Sequence, residues 1–170
     1  MTKRDIICDT TVLLYLGRIG QASLLPSLFD PLYVPEPVLL ELDMGRLVRR
    51  ETIDPRDVGW AEIVPVPQAL IDHLPSNRLG RGERAVIAYG HAYHVAVLGL
   101  DDLQARQLAK EMELTIVGTL GVLLRAKRVG LISSIHPLVD AIIAEGFRLD
   151  PDLYRDVLKL AGEDAPPPTP

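Results

Sequence analysis

Only one cysteine, Cys8, stands among the 170 residues. No intramolecular disulfide can form, and a reducing cytoplasm is the expected setting. No apolar run approaches the ~18 residues needed to cross a bilayer, so no membrane is expected as partner. Met1 to Asp5 leads into a strand-like segment without the apolar stretch and small-residue cleavage site of a secretory signal. Positive charge is in deficit: a net charge of −5 argues against a protein that coats nucleic acid non-specifically, because such binding neutralises many phosphates with Lys and Arg. It does not exclude a nuclease, since bound divalent cations would offset a carboxylate cluster and Arg46, Arg49, Arg50, Arg78, Arg81 and Arg84 supply local positive charge. Internal repeats are lacking. So is a zinc set: His91 and His94 lie three apart with no further histidine or cysteine at useful spacing, and they read as structural or solvent-facing.

What is present is ordinary globular material, 48% apolar and 24% charged, at a length that suits one domain. Residues 1–161 read as that domain. Residues 162–170, Gly162 through Pro170, are proline-rich, carry too little apolar material to pack, and read as a disordered tail. Short apolar segments alternate with helical patterns. Asp5–Cys8 reads as a strand before a helix over Thr10–Leu16, and Pro31–Pro35 as a strand before a helix from Glu36 that ends near Gly45. Ile63–Pro67 is a weak edge strand because of its prolines. A helix over Glu83–Tyr93 precedes the clearest strand, Val95–Leu100; a helix over Asp101–Met112, a strand at Leu114–Val117 and a helix over Leu120–Val129 follow. Pro137–Glu145 and Pro151–Leu160 read as closing amphipathic helices. The alternation predicts parallel βαβ units in a sheet covered on both faces, with ligands gathered beyond the carboxyl ends of the strands.

Acids stand at those ends. Asp9 follows Ile6-Ile7-Cys8, Glu41 follows Val38-Leu39-Leu40, Glu83 opens its helix, and Asp101-Asp102 close Val95–Leu100. Oxygen ligands of this kind suit Mg²⁺ or Mn²⁺, which can lower the pKa of an attacking water and stabilise a leaving oxygen in phosphodiester hydrolysis. Each acid also has a plainer role: Asp9 as cap of the first helix, Glu83 as complement to a helix dipole, Asp102 as partner of Arg106 one turn on. Capping explains neither Glu41 well inside its helix nor successive acids at several strand ends. Thr10 or Thr11 would fix Asp9 or hydrogen-bond a substrate phosphate, with capping as the alternative; Thr119 reads as a cap. Cys8 should point away from Asp9, because strand neighbours alternate faces, and reads as a core residue rather than a nucleophile. A haloacid-dehalogenase-like phosphatase is a rival reading of Asp9, but Thr11 stands where that class places a second Asp.

Several segments together resemble the PIN-domain family, particularly its VapC-like toxin nucleases. They are Ile6-Ile7-Cys8-Asp9-Thr10-Thr11, Val34 through Glu41, Leu79-Gly80-Arg81-Gly82-Glu83-Arg84 with Ala85-Val86-Ile87, Asp101-Asp102 with Ala105-Arg106, and Gly118 through Lys127. The resemblance covers nearly everything before the tail. It implies a three-layer α/β/α sandwich with a central parallel sheet and an Mg²⁺ or Mn²⁺ site at Asp9, Glu41, Glu83 and either Asp101 or Asp102. It further implies a small endoribonuclease, often restrained by an antitoxin protein. Arg81 and Arg84 would position the phosphate. A homodimer is suggested by the resemblance and by Val12, Leu13, Leu16 and Ile19 along the first helix, a stripe that also suits the core. Gly99 departs from the bulkier residue usual in this subgroup. The alternative to an enzyme is a catalytically silent module of the same fold that binds RNA or a protein.

Overall fold

The computed structural model describes residues 2–48, 53–75 and 78–163. Its centre is a five-stranded, wholly parallel sheet in the order β3-β2-β1-β4-β5, flanked by helices as a three-layer α/β/α sandwich. Strand β1 is Arg4–Cys8, β2 is Phe29–Pro35, β3 is Ala61–Val64, β4 is Val97–Gly99 and β5 is Ile116–Val117. The middle position belongs to β1 because Ile6, Ile7 and Cys8 are all fully buried, the unbroken apolar run that a strand covered on both faces requires. Ile6 and Ile7 pair with Leu32 and Tyr33 on one side and with Val97 and Leu98 on the other. The proline-flanked β3 lies at one edge and the two-residue β5 at the other.

The chain winds outward from β1 through β2 to β3, then returns to lay β4 on the other side of β1. That reversal makes the seam between β1 and β4 a topological switch point, where the helices after the two strands diverge and leave a crevice. The residue after β1 is Asp9, whose N–H donates to the Gly99 carbonyl across the seam at 3.0 Å.

Helices α1 (Thr10–Arg18), α2 (Leu24–Leu28), α3 (Glu36–Val48), α4 (Gln68–Asp72) and α5 (Arg81–Ala92) precede β4, and α6 (Leu103–Glu111), α7 (Thr119–Arg128), α8 (His136–Ala144) and α9 (Pro151–Leu160) follow it. Val12, Leu13 and Leu16 are fully buried and Ile19 packs against the same core, so the apolar stripe of α1 faces inward and supplies no dimer surface. Gly90 brings α5 onto the sheet: a Cβ there would lie 2.7 Å from Leu98 Cδ1. No described helix is long and apolar enough to cross a membrane.

Several elements differ from the sequence expectation for local reasons. Helix α3 continues past Gly45, which places Arg46 to bond Asp43, the Ile53 carbonyl at 3.1 Å and Asp54 at 3.4 Å. Strand β5 begins at Ile116 rather than Leu114, because the Leu114 N–H closes the end of α6 on the Ala109 carbonyl after Glu113 turns with φ 61°. Helices α2 and α4, each five residues long, carry too little periodicity to be read from sequence. Gly162 and Glu163, read above as the start of the tail, are joined to the domain, while 164–170 lie outside the described residues. Gly162 turns the chain at φ 71°, and the Glu163 carboxylate accepts from Lys127 Nζ (2.6 Å), Ser134 Oγ (2.7 Å) and the Ile135 and His136 N–H groups (2.7 and 3.0 Å). It thereby caps α8 from a distance.

Burial pushes the pKa of Glu163 up, but those four donors outweigh it and bring the group down to about 2. A carboxylate depressed in the fold contributes stability that is complete above its unfolded pKa and is lost as pH falls towards the folded value. Glu163→Ala should therefore cost about 1–3 kcal/mol at pH 7, by leaving the donors unpaired. In urea unfolding of the two proteins side by side, that difference should shrink progressively as pH is lowered from about 4.5 towards 2.

Candidate metal centre

Asp9 opens α1 with extended backbone geometry, yet its side chain makes no capping bond. The residue is 3% exposed, and Oδ1 is buried without a hydrogen-bond partner. Beside it, Glu41 projects from α3 and is gripped from two other elements: Thr10 Oγ1 donates to Oε2 at 2.5 Å and the Gly82 N–H donates to Oε1 at 2.9 Å. A Cβ at Gly82 would lie 2.8 Å from Glu41 Oε2, 2.9 Å from Asp9 Oδ1 and 3.0 Å from Glu41 Oε1. The two carboxylates thus flank the first turn of α5, and only glycine leaves them room.

The remaining acids approach from either side. Glu83, half-buried, folds back so that Oε2 accepts the Gly80 N–H at 2.8 Å, which realises the helix-terminus role expected of it. Asp101, beyond β4, accepts from the Thr119 N–H at 2.7 Å and the Thr119 hydroxyl at 2.6 Å. Thr119, fully buried, is therefore not the cap that its position suggested. Gly118 precedes α7, and the residue after it holds an acid. Asp102 is exposed and caps α6 by accepting the Ala105 N–H at 2.9 Å. Arg106 does not pair with Asp102; its Nη1 donates to the Leu100 carbonyl at 3.0 Å. A Cβ at Gly118 would meet both Asp101 Oδ1 (2.8 Å) and Arg106 Nη1 (2.9 Å).

Burial drives the Asp9 pKa up to about 8; a backbone hydrogen bond at Thr10 opposes the shift, and the charges of Glu83, Glu41 and Asp101 add to it. Burial also raises Glu83, against the Gly80 hydrogen bond and with the charges of Asp102 and Glu41. Asp101 rises by burial, moderated by its Thr119 bonds, Arg106 and Thr11. Asp9 is the hub on which the other charges converge, and of the consecutive pair it is Asp101 that faces it.

Among the described residues, no three His, Cys, Asp or Glu side chains gather closely enough to hold a metal ion as they stand. The fit to Mg²⁺ or Mn²⁺ rests instead on an all-oxygen donor set and on the orphaned Asp9 Oδ1 beside Glu41, in a cluster whose mutual repulsion a cation would relieve. His91 and His94 are both exposed and take no part. The Cys8 thiol is fully buried, and burial, then Asp9 and Asp101, push its pKa far above the ordinary range, so it stays protonated. Gly99 pairs with Cys8 across the seam, and a Cβ there would lie 3.2 Å from Cys8 Sγ, so a side chain at that position would require the buried thiol to give by a few tenths of an ångström.

Of the arginines read as available charge, Arg46 is occupied by Asp43 and Asp54, while Arg49 and Arg50 lie outside the described residues. Arg84 donates to the Ile71 carbonyl at 3.3 Å, and Arg81 is exposed on the same helix. The acids were legible in the sequence, but the groups that bond them were not: the Gly82 N–H and Thr10 on Glu41, and Thr119 on Asp101. The Gly-Arg-Gly-Glu run was the available signal for Gly82, but its steric partners come from α3 and the end of β1.

An acid with a raised folded pKa favours the fold fully below its unfolded value and loses that contribution as pH rises through the folded one. Cation-free Asp9→Asn should accordingly be more stable than wild type, with a gain that grows between about pH 4 and pH 8 and exceeds about 1 kcal/mol at the top. Mn²⁺ should raise the melting temperature of the wild type and leave that of the same variant unchanged. Gly82→Ala should displace Glu41, cost about 1–3 kcal/mol in urea unfolding and weaken Mn²⁺ binding measured by calorimetry.

No curated protein matches the chain. The family model DUF3368, described as a PIN domain, matches residues 5–163 and so covers all five strands but for the first residue of β1, together with the whole acidic cluster. The chain belongs to the PIN-domain family.

Proposed function

We propose that the protein is a divalent-cation-dependent endoribonuclease. PIN domains are a nuclease-type fold, and the observation that carries the reading is Asp9: a buried carboxylate with an unpartnered oxygen at the switch point of the sheet, raised in pKa by burial first and then by three neighbouring acids. Asp9, Glu41, Glu83 and Asp101 would hold Mg²⁺ or Mn²⁺, with Asp102 contributing charge beside Glu83. The ion supplies an activated water and a counter-charge for the leaving oxygen. Thr10 keeps Glu41 in place, Thr11 lies against Asp101, and Arg81 and Arg84 stand on α5 next to Gly82 to orient a phosphate. A reducing cytoplasm suits the single buried cysteine. An antitoxin partner and a homodimer rest on family likeness, because the α1 stripe belongs to the core.

The competing reading, a silent module that binds RNA or protein, draws on the hydrogen-bond donors that already engage Glu41, Glu83 and Asp101. Cleavage of a diverse RNA pool with Mn²⁺ separates the two. Wild type should cleave, and folded Asp9→Asn should be slower by about a hundredfold, equivalent to roughly 3 kcal/mol of transition-state stabilisation. Equal rates would remove the acidic cluster from the chemistry, and an inert wild type would favour the silent module.

A further inference from the structure

Where α3, α4 and α5 meet there is a cavity of about 90 Å³ lined by Pro37, Val66, Gln68, Ile71, Arg81 and Arg84. The two arginines, three apart, share one face of α5, whereas Gly82 between them faces Asp9 and Glu41. Pro37 lies four residues before Glu41, so the cavity sits about 6 Å along α3 from that acid, at a rise of ~1.5 Å per residue. Val66 and Gln68 follow β3, which puts the cavity at the same carboxyl edge of the sheet as the acids.

Its hydrogen bonding is incomplete. Arg84 gives Nη2 to the Ile71 carbonyl, but its Nε is buried with no partner. Arg81 is exposed and has no ion pair among the described residues. Of the acids next in sequence to the lining residues, Asp72 accepts from Gln68 Nε2 at 2.9 Å, Glu83 is turned to Gly80, and Glu36 is exposed at the start of α3. Two guanidinium groups without a carboxylate, one with a buried unpaired donor, lack an anion that offers several acceptor oxygens, and a space of this size admits one tetrahedral oxyanion.

We propose that this cavity is a phosphate subsite that takes a non-scissile phosphate of the substrate strand, neighbouring the one presented to the acids. Arg84 Nε and the Arg81 guanidinium donate to it. The subsite rests on the cleavage reading for the identity of the strand, but not for the binding of phosphate itself.

The test uses ¹⁵N-labelled protein without divalent cation, titrated with inorganic phosphate at constant ionic strength while the arginine Nε–H resonances are followed. The Arg84 resonance should shift saturably, and affinity should fall about tenfold in Arg81→Gln while Arg155→Gln on α9 matches wild type. An unmoved Arg84 resonance, or wild-type affinity in Arg81→Gln, overturns the subsite. Arg81 carries the test because Arg84 also tethers α4. A short RNA should move the same resonance; if free phosphate alone does so, the assignment to the substrate strand fails. With active enzyme, Arg81→Gln should raise KM for RNA by about fivefold with kcat within about twofold, the pattern of a lost binding contact. Phosphate binding at Arg84 in a wild type that cuts no RNA would keep the subsite and reject the nuclease reading.

Discussion

The buried carboxylate of Asp9, with Oδ1 unpartnered, is the constraint around which this molecule is arranged. Its position follows from β1, whose apolar run must lie at the centre of a parallel sheet, and the next residue must therefore emerge at the seam with β4. Its neighbours are held there mainly by neutral donors: a hydroxyl and an N–H for Glu41, an N–H for Glu83, an N–H and a hydroxyl for Asp101. Such donors fix geometry while leaving each acid's negative charge in place. Arg106 is the one nearby cation among those acting on Asp101, and its hydrogen bond goes to a backbone carbonyl.

A second acidic group in the same chain shows the opposite arrangement. Asp43 and Asp54 lie between Arg46 and Arg56, and Asp54 is brought down to about 2, chiefly by its hydrogen bond from Arg56 and against the effect of burial. Those acids are neutralised where they stand and tie α3 to the loop that follows it. Asp9 and its neighbours are raised rather than lowered. A fold that needed its acids only as structural anchors would treat both groups alike. The contrast supports the proposal that the seam cluster is completed by a cation from outside the chain.

The parallel sheet, its two covering layers and the acids Asp9 and Asp101 were legible because each leaves a local trace, an apolar segment of strand length that ends on a carboxylate; the strand order leaves none. What holds the acids was not. Thr119 has the residue type and position of a helix cap, and only the arrival of Asp101 from 18 residues earlier reverses which group serves the other. Gly82 has the look of a helix start, and its necessity comes from atoms 41 residues away in Glu41 and farther still in Asp9. Glu163 lies in a run whose composition reads as tail, but four donors from α7 and the start of α8 make it part of the domain. In each case the deciding partner is distant in sequence, and composition cannot report it.

The two roles open to the apolar stripe of the first helix are separated by a related constraint. A stripe at Val12, Leu13 and Leu16 has the same spacing whether it meets a core or a second molecule; the position of α1 after the central strand decides the matter, because the helix that leaves β1 must cover the sheet. The same reasoning applies to charge. The net excess of acid would repel an anionic strand, so under the proposed function attraction would come from local placement: Arg81 and Arg84 at the cavity beside α5, and Arg106 beyond β4. The arginines that balance the surface, Arg46 and Arg56, are committed to Asp43 and Asp54 and cannot serve that purpose. The placement of the few arginines near the acids therefore matters more than the total.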